Sequence, residues 1–378
     1  MSDILEYKCP ACGGAMEFDS KSQKMKCPYC DTEMSVEDYQ KTMQDQLDDE
    51  TAHDAASVSG GTDGDGPEES AAWEGGSSGK WTAGETDSMR IYSCKSCGGE
   101  IVAEETTGAS ACPFCGNRVV MKGQFSGDLR PDYIIPFKLD KKAAKAAYHN
   151  HLKGKPFLPK IFRKENHIDE IRGIYVPFWV FDAEVDADIT YNAEKTRTWE
   201  ERGLEYTEHK YYELQRKGSI CFGKVPTDCS KKMDDTLMES IEPYQFSDAV
   251  PFDPAYLAGY AADRYDVETE KCIGRAANRA KTSAEFAFRE TVDGYQAVSL
   301  ARHKIQVRKA RYWYTLYPVW ILNTTWNKKK FTFAMNGQTG KMVGDLPSDQ
   351  KEFWKYVVTR GLCISVLLYA LQWILVLV

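Results

Sequence analysis

Two four-cysteine quartets with the same internal spacing constrain this chain more than any other feature. Cys9-Pro10-Ala11-Cys12 is followed, after fourteen residues, by Cys27-Pro28-Tyr29-Cys30. Cys94-Lys95-Ser96-Cys97 is followed, after the same fourteen residues, by Cys112-Pro113-Phe114-Cys115, so every cysteine recurs 85 positions on. Tyr7 and Gly13-Gly14 recur as Tyr92 and Gly98-Gly99. Zinc takes four soft ligands at tetrahedral corners, and two Cys-x-x-Cys knuckles supply them. Each knuckle turn needs a residue tolerant of positive φ after its second cysteine. Gly13, Gly98 and Gly116 hold that place, and Asp31 holds it in one knuckle. Short strands are expected around Met16 and Phe18 and around Ile101. Modules of this size bury little core, so metal binding supplies their folding energy. The expectation is Zn2+, two per chain: one on Cys9, Cys12, Cys27 and Cys30, the other on Cys94, Cys97, Cys112 and Cys115.

A disulfide framework or a redox pair is the rival reading of the same spacing. Met1 to Tyr7 contains no apolar leader, which points to a reducing compartment, where such spacing means metal more often. A closed Cys₄ site leaves no open coordination position, so the expected role is structural. Cys221, Cys229, Cys272 and Cys363 are scattered and read as buried or incidental thiols.

The net charge of −8 is unevenly spread. Residues 37–89 hold fourteen Asp or Glu against Lys41 and Lys80, a net of −12, which leaves +4 for the remainder. Gly, Ser, Thr and Ala fill most of the rest of that stretch, so it reads as an acidic disordered linker. Trp73 and Trp81 interrupt it. They read either as docking points on the chain's own body or as a partner-binding motif.

Beyond the second quartet the pattern is that of a large α+β domain. Lys141 to Leu152 and Thr269 to Val292 read as helices. Asp253-Pro254 opens a third, expected to run to about Tyr265. Glu184, Asp186 and Asp188 alternate with Val185, Ala187 and Ile189, as in a half-buried strand. His303 to Tyr317 reads as another strand, and Phe331 to Val343 as a hairpin turning at Asn336-Gly337. Tyr175-Val176-Pro177-Phe178-Trp179-Val180 resembles Leu316-Tyr317-Pro318-Val319-Trp320-Ile321, which hints at internal duplication. From Gly361 to Val378 eighteen residues carry no charge. As a helix they extend ~27 Å, close to the ~30 Å hydrocarbon core of a bilayer. Lys351, Lys355 and Arg360 precede them with Trp354 and Tyr356, which predicts a single carboxyl-terminal transmembrane helix with the rest of the chain cytoplasmic.

No catalytic constellation stands out. Gly75 to Trp81 and Gly337 to Met342 both fall short of a phosphate-binding loop. His149 and His151 do not share a helix face. The acidic stripe at 184–188 reads as a solvated strand face. The expectation is a protein that is not an enzyme.

The order of parts resembles the bacterial TFIIB-type zinc-ribbon membrane proteins, often labelled replication-restart-helicase-like. Tyr92-x-Cys94-x-x-Cys97-Gly98-Gly99, Cys112-Pro113-Phe114-Cys115-Gly116, Tyr133-Ile134-Ile135-Pro136-Phe137, Tyr175-Val176-Pro177-Phe178-Trp179 and Gly340-Lys341-Met342-Val343-Gly344-Asp345-Leu346-Pro347 carry the resemblance, which covers most of residues 90–378. It implies partners of the SPFH (band 7) and phage-shock type in envelope stress. The expected organisation is α+β: zinc ribbon 1 over 1–36, the acidic linker over 37–89, zinc ribbon 2 over 90–125, an α+β core domain over 126–350, and the basic flank with its transmembrane helix over 351–378. The expected function is a membrane-anchored adaptor recruiting cytoplasmic or membrane-associated proteins, with the first ribbon searching on its tether and the last helix in the lipid bilayer. A nucleic-acid-binding ribbon protein is the alternative. Residues 1–36 carry four Lys against six acids, and residues 90–125 four basic groups against three acids, which argues against a polyanion partner. A thiolate redox or metal sensor is a third class, disfavoured because Cys₄ zinc sites are usually inert scaffolds.

Overall fold

A computed structural model describes residues 7–42, 73–75, 81, 89–94, 98, 100–104, 112–113, 120–124, 129–164, 168–263, 265–267 and 269–377. Its first unit is a small antiparallel sheet of β1 (Glu17–Asp19), β2 (Lys24–Lys26) and β3 (Glu33–Met34). Phe18 pairs with Met25, and Met25 with Met34, so one face of the sheet is apolar. A helical turn over 36–42 closes that face. Ser35 caps it, its hydroxyl accepting from the Asp38 amide at 3.0 Å. Met16, Phe18, Met25, Val36 and Tyr39 form the buried centre together with Cys9 and Cys27.

The second unit is a 12-stranded sheet. In chain order it comprises β4 (Trp73–Gly75), β5 (Met89–Ser93), β6 (Glu100–Glu104), β7 (Val120–Gln124), β8 (Tyr133–Ile134), β9 (Arg172–Glu201), β10 (Leu204–Asp228), β11 (Val250–Pro251), β12 (Ala261–Asp263), β13 (Ala297–Trp326), β14 (Lys329–Asn336) and β15 (Met342–Val343). Its path runs β11-β8-β13-β9-β12-β6-β5-β7, with β10 on β9, β14 on β13, β15 on β14 and β4 on β13. The helices are α1 (Lys141–Leu152), α2 (Asp235–Ser240), α3 (Thr269–Glu290) and α4 (Gln350–Leu377).

β9 and β13 are each 30 residues long, an extended length of about 100 Å. Their character changes along the way. From Ile174 to Phe181 β9 is buried on both faces: Tyr175, Trp179 and Phe181 enter one core, and Ile174, Val176, Phe178 and Val180 enter another. Past Asp182 the run alternates: Ala183, Val185, Ala187, Ile189 and Tyr191 are buried and the acids between them half-buried, with buried Thr190 breaking the pattern. α3 covers the apolar side of this ribbon with Cys272, Ala276, Ala280 and Ala284, a small-residue stripe that lets the helix approach closely.

Several expectations hold in detail. α1 spans the residues expected of it and is capped by Asp140, which accepts from the Ala143 amide at 2.8 Å. β14 and β15 form the expected hairpin, pairing Ala334 with Val343. Trp81 packs edge-on against Phe252 at 5.7 Å, and Trp73 pairs with Ala310, so the described part of the acidic stretch docks on the chain's own body. The remainder of that expected disordered linker lies outside the described residues.

Other expectations are corrected. The α+β architecture ending in a transmembrane helix gives way to a fold dominated by one large sheet. No helix among the described residues is long and apolar enough to cross a membrane, so the single-pass membrane localisation falls as well. α4 carries Lys351, Glu352, Lys355 and Arg360 in its opening turns. The helix expected from Pro254 to Tyr265 is a single 3₁₀ turn, Pro254–Leu257, followed by Gly259 at φ 85° and by β12. The two Pro-x-Trp segments are antiparallel neighbours, Tyr175 opposite Pro318 and Pro177 opposite Leu316. β9 pairs with β10, β12 and β13, whereas β13 pairs with β4, β8, β9 and β14, so the element arrangement does not repeat. β6 pairs with β12 through Val102 and Ala262, so the strands around the second quartet belong to the large sheet.

Candidate metal centre

The first quartet is built by two knuckles of one design. The Cys9 carbonyl accepts from the Gly13 amide at 2.8 Å, and the Cys27 carbonyl accepts from the Asp31 amide at 3.0 Å. Both turns end in left-handed backbone, with Gly13 at φ 72° and Asp31 at φ 57°. The Cys9 amide then returns to the Gly14 carbonyl at 2.7 Å, and the Cys27 amide to the Thr32 carbonyl at 2.9 Å. Gly14 is a steric requirement too: a Cβ there would lie 2.5 Å from Cδ2 of Tyr29.

These turns bring Cys9, Cys12, Cys27 and Cys30 together with all four Sγ atoms within 4.8 Å of one another. Cys9 and Cys30 are 3.5 Å apart, as are Cys12 and Cys27. Four sulfurs at ~2.3 Å from a tetrahedral zinc stand about 3.8 Å apart, so the donor set and its spacing fit that ion. None of the four thiols is in a disulfide; Cys9 and Cys27 are buried, Cys12 and Cys30 exposed. A hydrogen bond from the Thr32 side chain, backed by the Thr32 amide and the neighbouring thiols, brings the Cys30 thiol down to about 6. Although the Gly14 amide pulls Cys12 down, crowding by Cys30 and Cys27 pushes it up to about 12. Four thiols this close cannot all ionise on their own, and a divalent cation removes the conflict. Thr32, 3.1 Å from Cys30 Sγ, was not singled out by sequence; its position two residues after the last cysteine is the signal that could have found it.

The module is sealed onto the large sheet. Gln23 Nε2 donates to the Phe137 carbonyl, Lys21 pairs with the α1 cap Asp140 at 2.7 Å, and the Phe18 amide donates to the Ala258 carbonyl at 3.1 Å. Phe18 meets Tyr256 edge-on at 5.1 Å, and Ala255 and Ala258 join the ribbon's buried centre. The first ribbon is therefore docked, not a module searching on a tether.

Of the second quartet, Cys94 and Cys112 are buried in one apolar cluster with Tyr92, Ile101 and Ala103. The Gly98 amide donates to the Cys94 carbonyl at 2.8 Å with Gly98 at φ 68°, the same turn as at Cys9. Cys97 and Cys115, with Gly116, lie outside the described residues, so only the first quartet is assembled among them.

A β-sheet protein bearing a four-cysteine centre able to hold a metal ion is the class these features define. The chain is 30% identical over 344 residues to a Bacillus subtilis (strain 168) protein described as "Uncharacterized protein YdjG", a match covering 91% of this chain and 90% of the relative. It belongs to the same family as YdjG. No protein-family model matches the chain, and no solved structure matches it.

Proposed function

We propose that this protein is a zinc-ribbon adaptor that presents its metal-stapled knuckles to protein partners, with one zinc on Cys9, Cys12, Cys27 and Cys30 and a second on Cys94, Cys97, Cys112 and Cys115. The observation that carries the reading is the orientation of the first module. Its Phe18 face is sealed on the sheet, while the knuckle tips Pro10, Ala11, Pro28 and Tyr29 are exposed, Tyr29 by 76%. An exposed aromatic held rigid by a metal centre suits a protein contact. The charge pattern supports a protein partner over a nucleic acid. Lys21 pairs with Asp140, and Lys26 with Glu33 at 3.1 Å, so acids offset part of the module's positive charge. SPFH-type proteins are the partner class that the ribbon resemblance implies.

A photo-crosslinking residue placed at position 29 of the full chain tests this. Protein adducts that disappear when zinc is chelated are the expected result. Nanomolar, salt-sensitive binding of DNA or RNA by the unmodified chain would overturn the adaptor reading in favour of a nucleic-acid-binding ribbon.

A further inference from the structure

β10 is an edge strand of unusual length. Among the described residues it pairs with β9 alone, and its register runs without irregularity from Leu204 to Phe222. Natural sheets blunt such edges with proline, bulges or brevity, because an open ladder recruits another strand. Here the first bulge comes only after Phe222, and no proline occurs before Pro226. The strand carries charges of both signs, Glu205, Glu208 and Glu213 against Lys210, Arg216 and Lys217, with Tyr211, 76% exposed, near its middle.

We propose that β10 is a self-association edge: two copies of this chain pair their β10 strands antiparallel about Tyr211, joining two three-stranded ribbons into one six-stranded sheet. A two-fold axis perpendicular to a sheet keeps each residue on its own face, so partners across the axis share parity. Centred on Tyr211, that geometry sets Glu205 opposite Lys217 of the second copy, His209 opposite Glu213, Tyr206 opposite Arg216 and Tyr211 opposite itself. No like charges meet between Leu204 and Gly218. Within one chain Glu205 faces Glu200, and Lys210 faces Lys195, pairings that cost stability. The second copy supplies Glu205 with the cation that its own ribbon lacks. The surface is distinct from the knuckles, so the inference stands or falls apart from the adaptor reading.

Sedimentation of the full chain reads this directly: a dimer has twice the 42.8 kDa chain mass. Tyr211→Lys and Tyr211→Glu each set like charges against themselves at the two-fold, at a position exposed enough to leave the fold intact. Each variant is expected to sediment as a monomer, and an equimolar mixture of the two as a dimer. Glu205→Lys removes the in-chain repulsion with Glu200 yet faces Lys217 across the interface. It is expected to leave the melting curve unchanged or improved while weakening the dimer about tenfold. A monomeric wild type overturns the proposal. So does a dimer indifferent to both Tyr211 variants. A monomer in which the β10 amides that do not bond to β9 resist hydrogen exchange also overturns it, and assigns the edge to another segment of the same chain.

Discussion

Gln23 Nε2 donates a 2.7 Å hydrogen bond to the carbonyl of Phe137, across 114 positions of sequence. The donor sits in a ribbon turn and the acceptor in the core of the large sheet, where the Phe137 ring stacks on Tyr260 at 4.2 Å. Ribbon and sheet are therefore joined through this contact and the packing around it.

Gln23→Ala should cost about 1 kcal/mol. Phe18→Ala, which empties a buried aromatic site under the ribbon, should cost about 3–5 kcal/mol. Denaturant titrations followed by far-ultraviolet circular dichroism check both. Chelation should lower the wild-type midpoint but have a smaller effect on Phe18→Ala, where the ribbon is already loosened; equal shifts would show that ribbon and sheet are uncoupled.

Elemental analysis of the purified chain should give about two zinc per molecule. Cys27→Ser should lower this to about one, because it removes a ligand of the first quartet alone. Iron in place of zinc, or a wild-type value near zero, would refute the assignment. Cys112→Ser should disturb more than its own module, since Cys112 is buried in a cluster that includes Val176, Phe178 and Val319 of the sheet. A broadened unfolding transition is the expected sign.

Ala284→Leu should destabilise the chain by about 1–3 kcal/mol, because Ala284 is fully buried where α3 packs with Val185 of the ribbon. Thr282→Leu, on the exposed side of the same helix, should change the denaturation midpoint little. Equal effects at the two positions would contradict the close helix–ribbon packing.

Asp228 gives the chain a pH signature. Its side chain is almost fully buried and bonds Arg275 Nη2 at 3.1 Å, while Arg275 also holds Asp235 at 3.0 Å and Glu239 at 3.5 Å. Burial first, then the Asp235 charge, push Asp228 up to about 7, against the opposing pull of Arg275. The folded value thus lies above the unfolded value of about 4. The resulting contribution to stability is fully present below pH ~4 and is lost as pH rises through ~7. Unfolding free energies from urea titrations between pH 4 and 8 should fall with rising pH by on the order of a few kcal/mol at this site. Asp228→Asn should flatten that slope; an unchanged slope would place its origin elsewhere.

Local features were the most legible in the sequence. The knuckle turns at Gly13 and Asp31, the α1 helix over Lys141–Leu152 and the Asn336-Gly337 hairpin turn each depend on nearby residues, so their chemistry is written in place. The sheet was not legible, because register is a property of pairs: Trp179 meets Tyr314 and Ala262 meets Val102 only once the chain has folded. Even a strong helix signal misled at Pro254, where the chain leaves its 3₁₀ turn, Gly259 takes φ 85°, and Tyr260 stacks on Phe137. The run after Gly361 misled as well: its length and lack of charge match a span, yet it continues a helix that opens with four charged residues, and no helix among the described residues is long and apolar enough to cross a membrane. Cys94 and Cys112 show the limit of motif reading: the spacing found them, but not their burial in the large sheet's own core.

The length of β9 has a consequence for simultaneous occupancy. Its inner end pairs with β12 at Ile174, just past the Ala255–Ala258 turn on which the first quartet is seated, and its outer end turns into β10 at Glu201. Extended strand over that interval covers up to about 90 Å, several times the ~13 Å radius of gyration of a 100-residue domain. A molecule held at the knuckles and another held at the far tip would not touch, so neither would exclude the other. Bodies bound at both places would thus be held apart by the length of a strand and not by a flexible connection.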